Sequence, residues 1–238
     1  MKTPSPLLEV DGAGKRFGRR TILRAGSFRA VEGSVTALVG RNGTGKSTLL
    51  RIAIGRVRPD YGRVLFRGRV LKRHTLSDLA REGVLFLAQT GALVQALTVR
   101  EHLEAIARVF REPQGVSRTV GELKLEQLLD RRPSELSGGE RRRAILGMAL
   151  VRRPSCLLID EPFSGVEPLD RPAIARGIRV LTSAGAAVVI SGHDVNDIFG
   201  VSDQIVWTTA GTTQFLGSPD VALEHRQFRL EYLGQLGG

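Results

Sequence analysis

Gly40-Arg41-Asn42-Gly43-Thr44-Gly45-Lys46-Ser47-Thr48 is the stretch from which the rest of the chain is read. It fits the spacing G-x-x-x-x-G-K-[ST] and has the context that spacing requires, an apolar strand before it (Ser34 to Val39) and a helical run after it (Lys46 to Gly55). The glycines let the backbone wind tightly, so that its N–H groups converge on a phosphate. The helix that begins near Lys46 adds the positive end of its dipole. Lys46 supplies a point charge to the β- and γ-phosphates of a nucleotide, and Ser47 offers a hydroxyl to Mg²⁺.

Downstream, the apolar run Cys156-Leu157-Leu158-Ile159 ends in Asp160-Glu161. Acids at the end of a buried strand sit where α/β sheets place their ligands. There, Asp160 can hold Mg²⁺ through water and Glu161 can polarise the attacking water. Between these motifs, Leu136-Ser137-Gly138-Gly139-Glu140 opens a helix-compatible run. Ser137 suits its N-cap, and the exposed N–H groups form a second anion site.

The coarse pattern is strand and helix in alternation. Leu7 to Val10 reads as an edge strand, and Val64 to Phe66 and Val84 to Leu87 as short strands. Thr98 to about Leu150 is helical in texture, as in Val99 to Phe110 with apolar residues three and four apart, and Pro133 interrupts it. Leu157 to Ile159 and Ala187 to Ile190 are continuous apolar runs typical of buried parallel strands, with a helix from roughly Leu169 to Ser183 between them. The fold class is α/β with a helical insert as a second lobe.

The 238 residues are 42% hydrophobic, enough for a real core. No apolar run reaches the roughly 20 residues of a membrane-spanning helix, and the first ten residues lack the pattern of a secretory signal. Cys156, the single cysteine, sits in an apolar run and reads as a buried thiol. The net charge is +11, mostly from arginine, with dense stretches from Arg51 to Arg73 and Arg131 to Arg153. Such an excess suits nucleic acid, an anionic surface or a solvated face. The 5% aromatic content gives no stacking platform for single strands, and no specific nucleic-acid partner is expected.

Taken together, these motifs resemble the ATP-binding cassette (ABC) ATPases over nearly the whole chain. The resemblance implies a RecA-like P-loop core with a small antiparallel β subdomain and an α-helical subdomain. It divides the chain into a core, 1–88 and 151–238, and a helical subdomain, 89–150. Leu136 to Glu140 looks like the family signature, whose Ser137, Gly138 and Gly139 would contact the γ-phosphate of ATP bound to an opposite subunit. Gln89 matches the Q-loop glutamine at the metal and water, His193 in Ser191-Gly192-His193-Asp194 the switch histidine, and Ser164-Gly165-Val166-Glu167 the D-loop. Phe17 falls where an aromatic stacks on adenine. The sequence departs from the commoner pattern with Glu167 for Asp, Phe17 for Tyr and Met148 for Arg. A finer resemblance, in Leu136 to Arg143, Asp160 to Pro168 and Phe228 to Gly234, is to lipopolysaccharide-export and branched-chain amino-acid-uptake ATPases, although Gln89 to Leu136 is short for them.

By resemblance, catalysis falls to Glu161, His193 and Gln89, metal binding to Ser47, Gln89 and Asp160, and nucleotide contact to Phe17, Gly40, Asn42, Gly43, Thr44, Gly45, Lys46, Ser47, Thr48, Ser137, Gly138, Gly139 and Glu167. The implied cofactors are ATP and Mg²⁺. The implied partners are a second copy and integral-membrane permease subunits, with the chain cytoplasmic on the inner face of the membrane. Leu93, Val94, Ala96 and Leu97 are the expected docking site for a permease helix. The rival reading is a soluble ABC ATPase acting on DNA or ribosomes. The charge favours it, and the single cassette without coiled-coil insertion or zinc-ligand cysteines opposes it.

Overall fold

The computed structural model describes residues 5–89 and 93–234. Its strands are β1 (Leu8–Phe17), β2 (Arg20–Ala30), β3 (Val35–Val39), β4 (Tyr61–Phe66), β5 (Arg69–Val70), β6 (Val84–Leu87), β7 (Cys156–Ile159), β8 (Ala187–Gly192), β9 (Gln204–Thr209) and β10 (Thr212–Gly217). They lie in the order β5-β4-β1-β2-β10-β9-β3-β8-β7-β6. One end, β5-β4-β1-β2, is antiparallel. The other is built on the parallel run β9-β3-β8-β7-β6. The two ends meet where Thr212 of β10 pairs with Ala25 of β2.

The central parallel strands β3, β8 and β7 are mostly apolar because both of their faces are buried. Val35, Ala37 and Val39 of β3 face one core and Leu38 faces the other. In β7 and β8, Leu157, Ile159, Val188 and Ile190 go one way, and Cys156, Leu158, Ala187 and Val189 the other. The first core is completed by the helices α3 (Val99–Phe110), α4 (Gly115–Leu123), α5 (Gly138–Arg152) and α6 (Arg171–Ser183). The second is completed by α1 (Lys46–Ala53) and the antiparallel strands. Cys156 is fully buried in that second core, and burial pushes its thiol up to about 12. It therefore stays protonated and unreactive at neutral pH.

One expectation is corrected. The segment read as an edge strand, Leu7 to Val10, belongs to an interior strand, with β2 on one side and β4 on the other. Its continuation, Asp11 to Phe17, is polar and glycine-containing because register shifts bulge it out of regular pairing. The helical stretch after Thr98 contains α3, α4 and α5, and short 3₁₀ turns at Glu126–Leu128 and Pro133–Glu135 fill the gap before the signature. No described helix is long and apolar enough to cross a membrane.

This topology positions the site. In the sheet, β3, β8, β7 and β6 are consecutive neighbours. The glycine loop follows β3, His193 follows β8, Asp160-Glu161 follows β7 and Gln89 follows β6. All four leave the carboxyl edge of one parallel sheet, where such sheets gather their functional groups.

Candidate functional site

The loop hands over to α1 through Gly45, which caps the helix in the left-handed region at φ 106°. No side chain caps α1, and no acid lies in its first turn. Its first amides are thus left for an external acceptor. At Gly40, a β-carbon would run into the Thr208 carbonyl. Thr44 turns its hydroxyl inward, donating to the Arg41 carbonyl at 2.9 Å. Lys46 is only 5% exposed, and its Nζ donates to the carbonyls of Gly40 (2.7 Å) and Arg41 (3.1 Å). Burial lowers its pKa, while Glu161 and Asp160 pull the other way. The two acids thus offset part of the cost of burying this cation.

Asp160 is buried, and its Oδ1 accepts hydrogen bonds from Ser47 Oγ (2.9 Å) and Ser191 Oγ (2.6 Å). Glu161 sits at φ 54°, a left-handed conformation that costs a non-glycine residue about 1 kcal/mol or more. Its N–H donates to Ser191 Oγ at 3.1 Å. One buried hydroxyl therefore fixes both acids. The sequence motifs pass over Ser191 as a site residue. The available signal was a hydroxyl ending the apolar strand β8, since a buried polar group needs partners. His193 Nδ1 lies 2.9 Å from Glu161 Oε2, so the ring donates to the ionised carboxylate.

Part of this set lines an open cleft of about 440 Å³. Asn42, Gly43, Gly45, Lys46, Ser47, Thr48, Gln89, Glu161 and His193 are in its wall, whereas Gly40, Thr44 and Asp160 are not among its lining residues. Ser164, the first residue of the D-loop match, joins them, as do Arg20 and Ile22, which no motif reading marks. Gln89 Nε2 is 3.5 Å from Ser164 Oγ. The Gln89 and Ala88 carbonyls accept from Arg142 of α5, at 2.9 and 3.3 Å, which ties the signature helix to the end of β6. Phe17 is not in the cleft wall. It is 50% exposed, with Lys15 Nζ 5.5 Å from its ring centroid. A separate cavity of about 290 Å³, between Arg118 and Ala186, contains none of the loop or acid residues.

Ser137 caps α5 in a capping box: its Oγ accepts from the Glu140 N–H (3.1 Å), and Glu140 accepts from the Ser137 N–H (2.9 Å). Ser137, Gly138, Gly139 and Glu167 lie outside the cleft of their own chain. The two glycines permit close approach. A β-carbon on Gly138 would sit 2.8 Å from the Gly165 carbonyl, and one on Gly139 would collide with the Asp170 carboxylate. Asp170 in turn pairs with Arg143 Nε at 2.9 Å.

The oxygen donors of Ser47, Asp160 and Gln89 suit Mg²⁺, which takes few protein ligands and completes its shell with phosphate and water. Among the described residues, no cluster of three or more His, Cys, Asp or Glu offers an all-protein metal cage.

Comparison with known proteins agrees with this geometry. Residues 23–164, more than half of the chain, match the family described as ABC transporter. The lipopolysaccharide export system ATP-binding protein LptB of Acidithiobacillus ferridurans is 31% identical, covering 97% of this chain and 98% of its own length. The zinc import ATP-binding protein ZnuC of Halorhodospira halophila is 32% identical over 98% of this chain and 85% of its own. An Fe(3+) ions import ATP-binding protein, FbpC 2 of Rhodococcus jostii, is 36% identical over 89% of this chain, and the match spans 62% of its length. Among solved structures, an ABC-transporter cassette in its ADP conformation superposes with a TM-score of 0.83 at 25% identity, covering 97% of this chain and 99% of that one. An ATP-binding subunit of an ABC transporter superposes with a TM-score of 0.78 at 26% identity, covering 96% of each chain. With its glycine loop, paired acids, histidine and capped signature on this frame, the chain belongs to the ABC transporter family, as an ATP-binding subunit with the ABC ATPase fold.

Proposed function

We propose that the chain hydrolyses MgATP in this cleft and that two copies, closing around two nucleotides, drive separate integral-membrane subunits from the cytoplasmic face of the membrane. The observation that carries the reading is the convergence, at one sheet edge, of Lys46, the Ser47–Asp160 pair and the Glu161–His193 pair. In this reading Lys46 and the first amides of α1 bind the β- and γ-phosphates. Ser47, Asp160 and Gln89 hold Mg²⁺, whose charge offsets that of the phosphates. Glu161 polarises the attacking water, and His193 holds the Glu161 carboxylate in place. Gly138 and Gly139, outside their own chain's cleft, serve the nucleotide of the partner copy. The relatives include one export protein and two import proteins, so the proposal is for the engine they share.

Phosphate release from MgATP by the chain alone tests this reading. His193→Ala is expected to lower kcat by about a hundredfold while ATP still binds. Undiminished hydrolysis in that variant removes His193 from the site.

We assign 89–150 the role of the lobe that couples the cleft to the membrane subunit. The expected docking set is divided in the structure. Leu93 is half-buried against the helical core and Leu97 is half-buried, whereas Val94, 56% exposed, and Ala96 face outward. His102 holds this segment: its Nε2 accepts from the Val94 N–H (2.8 Å) and its Nδ1–H donates to the Thr98 carbonyl (2.7 Å). Val94→Glu places a charge where an amphipathic helix would bury an anchor. It is expected to abolish transport in the assembled complex and to leave the isolated subunit's hydrolysis within about twofold of wild type. Intact transport moves the docking site elsewhere.

A further inference from the structure

The C-terminal turn Arg229–Leu233 touches two of the loops that form the cleft. Tyr232 Oη donates to the His193 carbonyl at 2.8 Å. One residue earlier, the Glu231 carbonyl accepts from Arg41 Nη2 at 2.8 Å, and Arg41 belongs to the glycine loop. A segment almost two hundred residues from the glycine loop therefore holds that loop and the histidine loop together.

The turn itself is anchored by aromatic packing. The Tyr232 ring lies 5.1 Å from that of Phe228, which is fully buried. Phe228 packs edge-on against Trp207 of β9 at 5.6 Å and stacks on Phe199 at 6.2 Å. Such contacts bury large areas at little entropic cost and leave a phenol free to bond with its tip. The reach from the β9 core to the histidine loop thus runs through rings whose positions are fixed by packing.

We propose that Tyr232 is a positioning residue for hydrolysis: its hydroxyl fixes the backbone of His193, so that the imidazole stays aligned on Glu161. The inference rests on the role given above to the Glu161–His193 pair. His193 is half-exposed and is held at its ring by a single hydrogen bond to Glu161. About half of its side chain is exposed, so the conformation of its backbone sets where the ring points. Burial pushes the Tyr232 phenol up to about 12, opposed by the Gly40 amide. The hydroxyl therefore remains a donor throughout the working range of pH.

Tyr232→Phe tests this, because the ring and its stacking survive and only the hydroxyl is lost. In steady-state hydrolysis the variant is expected to lose about tenfold in kcat, with KM for MgATP within about twofold. Its melting temperature should fall by no more than about 4 °C. In the His193→Ala background the same substitution should cost nothing further, since residues that act as a unit are not additive. Additive losses overturn the proposal, because Tyr232 then acts elsewhere. A second readout does not depend on turnover. In the full chain, the His193 ring resonances should shift in Tyr232→Phe, reporting a changed contact with Glu161. Wild-type kcat or unmoved His193 resonances in Tyr232→Phe also overturn it. If His193→Ala itself leaves hydrolysis intact, the site reading fails, and the resonances alone then decide whether Tyr232 sets the ring.

Discussion

Lys46→Ala abolishes tight MgATP binding and turnover. Lys46 is the only lysine in the glycine loop, and its ammonium is already drawn in over that loop by the Gly40 and Arg41 carbonyls. A charge-assisted hydrogen bond to phosphate contributes about 1.5–3 kcal/mol, and this one acts in a site where burial strengthens it. ATP affinity should therefore drop by about a hundredfold, with hydrolysis below detection. A thermal shift measurement separates this loss from unfolding. The variant should melt close to wild type without nucleotide and should lose the stabilisation that saturating MgATP gives the wild type. Wild-type hydrolysis in Lys46→Ala would sink the assignment of the whole loop.

Much of the fold is legible where burial leaves a simple mark. β3, β7 and β8 face two cores at once, so their sequences are mostly apolar, and the read spans fall on the observed strands. The helix α6 carries its apolar residues at helical spacing and was read within two residues of its observed start. The strands β2, β5, β9 and β10 escaped. β2 includes three arginines and a glycine, and seven of its eleven residues are half-buried or exposed, so no clean period survives. β10 turns Phe215 outward at 66% exposure, which breaks the alternation a reader looks for. The edge strand became an interior one because strand order depends on pairing across long stretches of chain, which local patterns do not encode.

The chemistry is legible in a different way. Loop, acids and signature are contiguous runs, and each advertises itself by spacing. The groups that hold them in place do not. Ser191 reaches Asp160 across 31 positions, Tyr232 reaches the His193 carbonyl across 39, and Arg142 reaches the Gln89 carbonyl across 53. Each is an ordinary residue in its own neighbourhood and acquires its role only when the sheet edge brings distant loops together. Arg20 and Ile22 enter the cleft for the same reason, since β2 belongs to the antiparallel unit and meets the glycine loop only in three dimensions.

Glu161→Gln keeps ATP affinity, loses hydrolysis and accumulates a nucleotide-bound dimer. The substitution preserves shape. An amide oxygen can still accept from His193 Nδ1, and the backbone N–H remains on Ser191 Oγ, so the left-handed turn after β7 is kept. What disappears is the negative charge that polarises water, a contribution worth about 10²–10⁴ in rate. The binding groups, Lys46 and the uncapped amides of α1, are untouched. If hydrolysis is what reopens the pair, a variant that binds but does not hydrolyse must remain closed. In the proposed sandwich, Ser137, which caps α5, and Gly138 and Gly139, which begin it, lie outside the cleft of their own chain and would meet the nucleotide of the second copy. Light scattering with and without MgATP measures the outcome. The variant should double its mass when MgATP is added, while the wild type, turning over, returns to monomer. A variant that stays monomeric under both conditions, with nucleotide bound, contradicts the sandwich and leaves the catalytic role of Glu161 to be judged by hydrolysis alone.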